Sequence, residues 1–240
     1  NWYYDKCDLI TAPSRSVVDE MKFYGFTKES HVISNPVDTQ TFVPLPNKNW
    51  LRKKFGFGDY TIIHAGRLSG ERKIEVIINA VSIVKKEFPK TELAIAGRGS
   101  AEKELKSLAA MLGIQSSVKF IGFLDKSTLA EAYNASEIFI ITSTSDTQSM
   151  VMMQAMAAGL PVIGVKARAL PEYINNKNGI LVEPDDSEAL AKKIIFLFKN
   201  PRKRKILGDG ARKFAFNFSS ESIAKAWEKI YERAASKAAR

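Results

Sequence analysis

Residues 60–87 read YTIIHAGRLSGERKIEVIINAVSIVKKE and combine a strand pattern, a glycine loop and a helix pattern. Tyr60–His64 is a short apolar run of the kind found in buried parallel strands. After the glycine-containing segment 66–73, the stretch Lys73–Glu87 repeats apolar residues at helical spacing. This order predicts a βα unit, in which the strand opens directly into a loop and the helix covers the sheet.

The same alternation of short apolar runs and amphipathic stretches continues along nearly the whole chain. It predicts further strands at Leu9–Ala12, His31–Ile33, Glu92–Ala96, Val118–Phe120, Ile138–Thr142, Pro161–Val165 and Gly179–Val182. It predicts further helices at Ser14–Tyr24 with Ser14 as N-cap, Ala101–Leu112, Ser127–Asn134, Gln154–Ala158 and Ser187–Phe198. Repeated βα units of this length indicate an α/β fold with a Rossmann-like, doubly wound parallel sheet.

The composition is that of an ordinary globular protein, with 240 residues, 45% of them apolar, and a formal net charge of +10. The charge favours an anionic partner. The single cysteine, Cys7, suits a reducing compartment and is expected in a strand. All apolar runs are far shorter than the roughly 20 residues of a membrane span. Because no signal peptide is visible and the chain opens at Asn1 just before a strand-like segment, we expect part of a longer cytoplasmic protein.

The proline-containing segment 35–49 interrupts the alternation and predicts a domain boundary. Residues 1–45 hold too few elements for a core of their own, so we expect the last βα unit of a preceding domain plus a hinge. Residues 46–215 are expected to form the second domain. Residues 216–240 have an apolar stripe at helical spacing, which predicts a helix that packs back toward the first segment.

The densest basic run is Lys199–Lys205, followed by Arg212 and Lys213. It has no interleaved aromatic residues for base stacking, which argues against nucleic acid as a partner. Two interpretations stay open. The run is either a solvated helix face or a peripheral contact with an anionic membrane, at its inner face.

The first candidate site is the segment 66–73, GRLSGERK, which lies where α/β folds bind ligands, at the carboxyl end of a strand. Gly66 lets the backbone approach a ligand. Arg67, together with Arg72 or Lys73, has the charge to neutralise a diphosphate from two sides. A basic surface loop without a ligand has the same composition, so this segment alone leaves the choice open.

A second loop, 97–100, reads GRGS and also joins a predicted strand to a predicted helix. The backbone amides at Gly97 and Arg98 are therefore placed to meet an anion or a sugar hydroxyl. The glycine spacing is not that of a dinucleotide fingerprint, and no acidic residue follows about 20 positions later. The loop therefore argues against an NAD site.

The segment 142–163 reads TSTSDTQSMVMMQAMAAGLPVI and carries the strongest functional signal. It resembles the retaining, family-4-type glycosyltransferases of the GT-B fold, in which two acidic residues separated by seven others precede Ala-Met-Ala-x-Gly-x-Pro-Val. Further landmarks follow in family order at Asp8–Ser14, Asn35–Asp38, Gly66–Ser69, Gly97–Gly99, Val118–Phe123 and Leu170–Glu172. The resemblance implies that the predicted second domain binds a nucleoside diphosphate sugar, and that an acceptor-binding domain precedes it.

The resemblance also implies roles for the basic loop and for a base-binding segment. Arg67 and Arg72, with Lys73 beside them, would hold the donor diphosphate and stabilise the leaving group. Phe123 and Leu124 would contact the nucleotide base. The donor is a substrate, and the resemblance implies neither a cofactor nor a metal.

Roles toward the donor sugar fall on the motif within 142–163. Asp146 takes the first acidic position, whose carboxylate would accept hydrogen bonds from sugar hydroxyls. The backbone amides of Ser149, Met150 and Val151 would face the sugar and diphosphate at a helix start. Gln154 takes the second acidic position, which would hold the ribose.

Glu172 is a further donor-side candidate, with a plain helix-terminal charge as the alternative. Asp146, Ser149 and Gln154 stand where the family usually has Glu, Gly and Glu. Two hypotheses therefore stay open. One is transfer of a hexose to a lipid, glycan or small-molecule acceptor with retention, and the other is a non-catalytic relative that binds nucleotide sugars and acts through partners.

Overall fold

Strands and helices alternate along the chain, as the repeated pattern predicts. The computed structural model describes residues 6–238, and no helix in that range is long and apolar enough to cross a membrane. The strands are β1 (Ile10–Ala12), β2 (Ser30–Val32), β3 (Thr61–Ala65), β4 (Glu92–Ala96), β5 (Val118–Gly122), β6 (Ile138–Ile141), β7 (Val162–Val165) and β8 (Gly179–Val182). The α-helices are α1 (Arg15–Phe23), α2 (Lys48–Phe55), α3 (Ile74–Val84), α4 (Glu102–Met111), α5 (Lys126–Ala135), α6 (Met150–Ala157), α7 (Leu170–Tyr173), α8 (Ser187–Lys199), α9 (Pro201–Phe216) and α10 (Ser220–Ala238).

The larger sheet has six parallel strands in the order β5-β4-β3-β6-β7-β8. In chain order, β4 and β5 are added on one side of β3. The chain then crosses back, and β6, β7 and β8 are added on the other side of β3. The order therefore reverses between β3 and β6, and their carboxyl ends leave a crevice where α/β folds bind ligands. The predicted doubly wound α/β fold is confirmed.

The central strands read as continuous apolar runs because helices cover both faces of the sheet. Every residue of β3 and of β6 is buried. Most side chains of α3 are buried as well, and α3 packs against α8 while α6 packs against α9. Since each buried large aliphatic side chain stabilises the fold by about 1.5–3 kcal/mol, this core makes a firm base for the loops at the strand ends.

A smaller unit precedes the six-stranded sheet. In it β1 and β2 pair in parallel and α1 connects them. The hydroxyl of Tyr173 donates to the carbonyl of Pro13 at 2.8 Å, and Arg233 of α10 pairs with Glu29 at 2.6 Å. These contacts join the beginning and end of the chain to each other and to the larger unit. The domain boundaries that the sequence predicts stay predictions.

Three local features differ from the sequence-based expectations. The pattern does not predict α2, whose only buried residue is Leu51, so its helical stripe is too thin to recognise. α6 begins at Met150 rather than Gln154, because Ser149 takes the N-cap position one turn earlier. Cys7 does not lie in a strand, as the sequence predicts, but precedes β1 and is half-buried.

Candidate functional site

The loops that follow β3 and β4 cross so closely that only glycine fits at the crossing. A Cβ on Gly97, whose φ is +137°, would lie 1.8 Å from the carbonyl oxygen of Gly66, and one on Gly99 would lie 2.1 Å from that of Leu68. The Leu68 amide donates to the carbonyl of Arg98 at 3.0 Å. The two loops therefore form one fixed floor. The contact between them explains why position 97 is a glycine, independently of any ligand above it.

A cavity of about 550 Å³ opens above this floor, at the carboxyl ends of β3 and β4. Its wall brings together seven of the predicted site residues, namely Gly66, Arg67, Gly97, Arg98, Phe123, Leu124 and Val151. Arg67 and Arg98 are exposed, so a ligand phosphate can reach them. Phe123 is 75% exposed and offers an open ring for stacking. The cavity therefore combines cationic and aromatic surface.

Arg72 reaches from the loop after β3 to the loop after β6. Its Nη1 donates to Asp146 Oδ1 at 2.7 Å and lies 3.5 Å from the hydroxyl of Ser143. The side chain of Asp146 is 9% exposed, so loss of Arg72 would leave a buried carboxylate without its partner. The Thr142 hydroxyl donates to the carbonyls of Arg72 and Lys73 at 2.9 and 2.8 Å and fastens the two loops together. The crevice between β3 and β6 thus brings two predicted catalytic residues into contact.

Four buried polar atoms near this ion pair have no hydrogen-bond partner within residues 6–238. They are Asp146 Oδ2, Arg72 Nε, Ser149 Oγ and His64 Nε2. Leaving such an atom unsatisfied costs about 1–3 kcal/mol, which is why most buried polar groups in native proteins are paired. Their concentration around one ion pair makes this crevice the candidate site for a polar ligand.

His64 lies in β3 and is neutral at physiological pH. Its Nδ1 lies 3.0 Å from the carbonyl oxygen of Ile140, so Nδ1 carries the proton and Nε2 is left as an acceptor. Complete burial lowers the pKa of His64 to about 4; the hydrogen bond to Ile140 opposes this effect, Arg72 adds to it and Asp146 opposes it. The imidazole therefore contributes a neutral acceptor beside the Arg72–Asp146 pair.

We expect this buried histidine to make the protein acid-sensitive. The pKa of His64 is about 4 in the folded chain, against the ordinary value of 6.5 in the unfolded chain, so the unfolded chain binds more protons between these values. Stability from this group is fully present above pH 6.5 and is lost as the pH falls toward 4. The loss from His64 alone should be about 2 kcal/mol between pH 7 and pH 5.

Urea unfolding at the two pH values measures this loss. The His64→Gln variant should lose about 2 kcal/mol less than the wild type over the same interval. His31→Gln, which changes a half-buried histidine of β2, is the matched control and should follow the wild type. Equal losses in the wild type and His64→Gln would contradict the prediction.

The side chains of the remaining predicted residues of this region do not line the cavity. Ser149 is the N-cap of α6, but its side chain makes no capping hydrogen bond. The first amides of α6, at Met150 and Val151, therefore face outward from the helix start. Gln154 is half-buried one turn further along. Lys73 has a left-handed backbone, with φ +53°, and its Nζ pairs with Asp185 at 3.2 Å.

Residues 47–214 match the family model described as "Glycosyl transferases group 1". The chain belongs to this family. Alpha-monoglucosyldiacylglycerol synthase from Streptococcus pneumoniae is 35% identical over 175 residues, which cover 70% of this chain and 39% of that protein. The putative glycosyltransferase EpsD from Bacillus subtilis is 30% identical over 212 residues, 86% of this chain and 55% of that protein. This chain thus spans less than two thirds of the length of either relative.

Solved structures show the same fold as this group 1 glycosyl transferase. HepE from Anabaena, in complex with UDP, aligns with a TM-score of 0.88 at 24% identity over 95% of this chain and 64% of that one. The C-terminal domain of a group 1 family protein, LpcC from Francisella tularensis, aligns with a TM-score of 0.70 at 28% identity. The alignment covers 75% of this chain and 97% of that one. The resemblance found in the sequence is confirmed, and with it the Rossmann-like half of the GT-B architecture.

Glu172 is engaged with the smaller unit. Its two carboxylate oxygens accept from the backbone amides of Arg15 and Ser16 at 2.7 and 2.8 Å, in the first turn of α1. Ser14 holds the N-cap position, as predicted, but its side chain makes no capping bond. Glu172 therefore supplies the cap for α1. Its contact with a donor stays a prediction.

Sequence reasoning missed Gln148, which ties the Asp146 loop to the segment after β2. Its Oε1 accepts from the backbone amide of Asn35 at 2.6 Å and from the Asn35 side chain at 2.9 Å, while its Nε2 donates to the Asn35 carbonyl at 3.2 Å. Gln148 is 8% exposed. No local pattern signals this contact, because the partners are 113 residues apart.

Proposed function

We propose that the protein containing this chain transfers a sugar from a nucleoside diphosphate to an acceptor hydroxyl, and that this chain binds the donor. The observation that carries the proposal is the Arg72–Asp146 pair, with its unpartnered buried atoms, next to a cavity of about 550 Å³. An ion pair with spare donors and acceptors suits a ligand that carries both phosphates and hydroxyls.

The parts of the donor are assigned by chemistry. The base stacks on Phe123, the aromatic residue of the wall, and packs against the neighbouring Leu124. The diphosphate lies between Arg67 and Arg72, because guanidinium groups bind phosphate oxygens through paired hydrogen bonds. The sugar is assigned to Asp146, whose buried Oδ2 has no hydrogen-bond partner among residues 6–238.

In the transfer step, one bond at the anomeric carbon breaks and another forms. The bond between the anomeric carbon and the phosphate oxygen breaks, and its electron pair goes to the leaving nucleoside diphosphate. The acceptor oxygen then bonds to the same carbon and loses its proton to the leaving phosphate or to water. Arg67 and Arg72 stabilise the negative charge that develops on the leaving group. We infer retention at the anomeric carbon from the resemblance of the motif.

The acceptor is a lipid, a glycan or a small molecule, and we place its binding site in the part of the relatives that this chain does not span. The S. pneumoniae relative is named for a glucosylated diacylglycerol, and this chain covers 39% of that protein. We therefore expect this chain by itself to bind the donor without transferring the sugar.

Calorimetric titration with UDP, GDP and ADP tests the proposal. We expect saturable binding of one nucleotide, with UDP tested first because HepE is described in complexes with UDP and UDP-glucose. Phe123→Ala should weaken that binding about ten-fold, because stacking of a base on an aromatic ring contributes about 1–3 kcal/mol.

Phe23→Ala is the matched control for this titration, since Phe23 is 84% exposed at the end of α1 and lies outside the cavity. It should leave the affinity unchanged. Failure of all three nucleotides to bind, or equal weakening by both variants, would count against the assignment of the cavity.

A further inference from the structure

A second cavity lies at the opposite edge of the large sheet, where the strands begin. It has a volume of about 430 Å³ and lies between the segments that precede β6 and β7 and the first turns of α2 and α9. Strands rise about 3.3 Å per residue, so strands of this length separate the two cavities by on the order of 15 Å. This second cavity is therefore distinct from the donor cavity.

The wall of the second cavity carries a surplus of positive charge. Its charged residues are four bases and two acids, namely Lys48, Arg204, Lys205, Arg212, Glu137 and Asp209. Four positive charges less two negative ones leave a formal charge of +2. In a concave and partly dry setting, such a surplus attracts anions more strongly than the same charges on an open surface.

Glu137 fixes several of these cations in place. Its side chain is 7% exposed and pairs with Lys48 at 2.6 Å, with Arg204 at 2.9 Å and with Arg52. Arg52 also pairs with Asp59 at 2.7 Å. One buried carboxylate thus orders three cations before a ligand arrives. Binding of a ligand therefore costs less side-chain entropy than it would with mobile cations.

The arginines keep unused donors. Arg204 uses Nε for Glu137 and Nη1 for the carbonyl of Leu197 at 3.1 Å. Arg212 uses Nη1 for the carbonyls of Phe42, at 2.6 Å, and Ala157. Within residues 6–238, the Nη2 groups of both arginines make no hydrogen bond.

The surroundings of the second cavity disfavour the charged form of Lys48. Burial lowers the pKa of Lys48, and the charges of Arg52 and Arg204 lower it further, while Glu137 raises it. The N-cap residue of α9, Asn200, makes no capping hydrogen bond with its side chain, so the positive end of that helix dipole is uncompensated there. A bound anion would relieve the repulsion among the cations and supply a charge to the helix start.

We propose that the second cavity binds a phosphate group, carried either by free phosphate or by the headgroup of an anionic lipid. A phosphate dianion matches the surplus of two positive charges, and its oxygens accept from guanidinium groups in paired hydrogen bonds. A lipid headgroup has the same chemistry, and Lys205 and Arg202 are exposed at the same end of α9.

Titration of the chain with inorganic phosphate, followed by the backbone amide NMR shifts, tests the proposal. The amides of residues 202–205 and 48–49 should shift saturably, independently of any shifts in segment 66–73. Lys205→Glu should weaken this binding about five- to ten-fold, since one exposed charge contact is worth up to about 1 kcal/mol and the substitution reverses the charge. Lys205 is 76% exposed and pairs with Asp209 of the same helix, so its replacement leaves the core intact.

Lys213→Glu is the matched control, because Lys213 is exposed on the same helix and does not line the second cavity. It should bind phosphate as the wild type does. Phosphate shifts confined to segment 66–73, or equal affinities for the wild type and Lys205→Glu, would overturn the proposal for free phosphate.

Vesicles distinguish the two sources of the phosphate. Sedimentation with phosphatidylcholine vesicles that contain phosphatidylglycerol should capture the wild type and Lys213→Glu more than Lys205→Glu if the source is lipid. Saturable phosphate shifts without capture assign the second cavity to free phosphate. Absence of both effects overturns the proposal, while binding of UDP to the donor cavity is measured separately and is unaffected by this outcome.

Discussion

In the full-length protein, Arg72→Ala should lower kcat/KM for sugar transfer about 100- to 1,000-fold. Removing one preorganised donor from a site of developing negative charge typically costs about 2.7–4 kcal/mol, which corresponds to this range. Arg72 is the donor best placed for such a loss, because its Nη1 is already fixed at 2.7 Å from Asp146 and its Nε has no hydrogen-bond partner among residues 6–238. Lys103→Ala, which removes an exposed positive charge from α4, should keep the wild-type rate.

Arg72→Ala also leaves the buried carboxylate of Asp146 without its partner, so a loss of stability could imitate a loss of activity. The double variant Arg72→Ala/Asp146→Asn, compared with Asp146→Asn alone, separates the two effects, because the amide carries no charge that needs compensation. Its melting temperature should recover toward that of the wild type, while its rate should stay at least about 100-fold below that of Asp146→Asn. Recovery of the rate together with the stability would contradict a role of Arg72 in the transfer step.

The sequence predicts the fold well because the signals for it are local. The segments of β6 and β7 are apolar at nearly every position and that of β3 at most positions, since helices cover both faces of the sheet. Short runs of this kind, separated by helical stretches, leave few alternatives to a parallel sheet. α2 lacks such a signal, because Leu51 is its only buried residue and the rest of its stability comes from packing against α5.

The candidate site is only partly predictable, because its contacts depend on which strands are neighbours. Loop 66–73 belongs to one βα unit and is visible in the sequence. The contact of Arg72 with Asp146 joins residues 74 positions apart, and it follows from the pairing of β3 with β6, which no periodicity specifies. The bonds of Glu172 to α1, across 157 positions, are hidden in the same way.

Glu137→Gln should destabilise the isolated chain by about 3 kcal/mol at pH 7. Breaking a buried ion pair by removing one partner typically costs about 3–5 kcal/mol, because the other charge stays buried without compensation. Glu137 is 7% exposed and holds Lys48, Arg52 and Arg204, of which only Arg52 has another acidic partner, Asp59, among the residues that the structure describes. Glutamine has the same shape, so the loss reports charge rather than packing.

Urea unfolding measures this loss, and Glu131→Gln is the matched control. Glu131 pairs with Lys54 at a more exposed position, so the same substitution there should cost under about 1 kcal/mol. Equal losses in the two variants would show that the cluster around Glu137 is no more than a surface ion pair. If the second cavity binds phosphate, the ion should stabilise Glu137→Gln more than the wild type, because it replaces the missing negative charge among the three cations. A larger gain for the variant shows that the missing charge outweighs the ordering of the cations by Glu137, and an equal gain separates the carboxylate from the anion site.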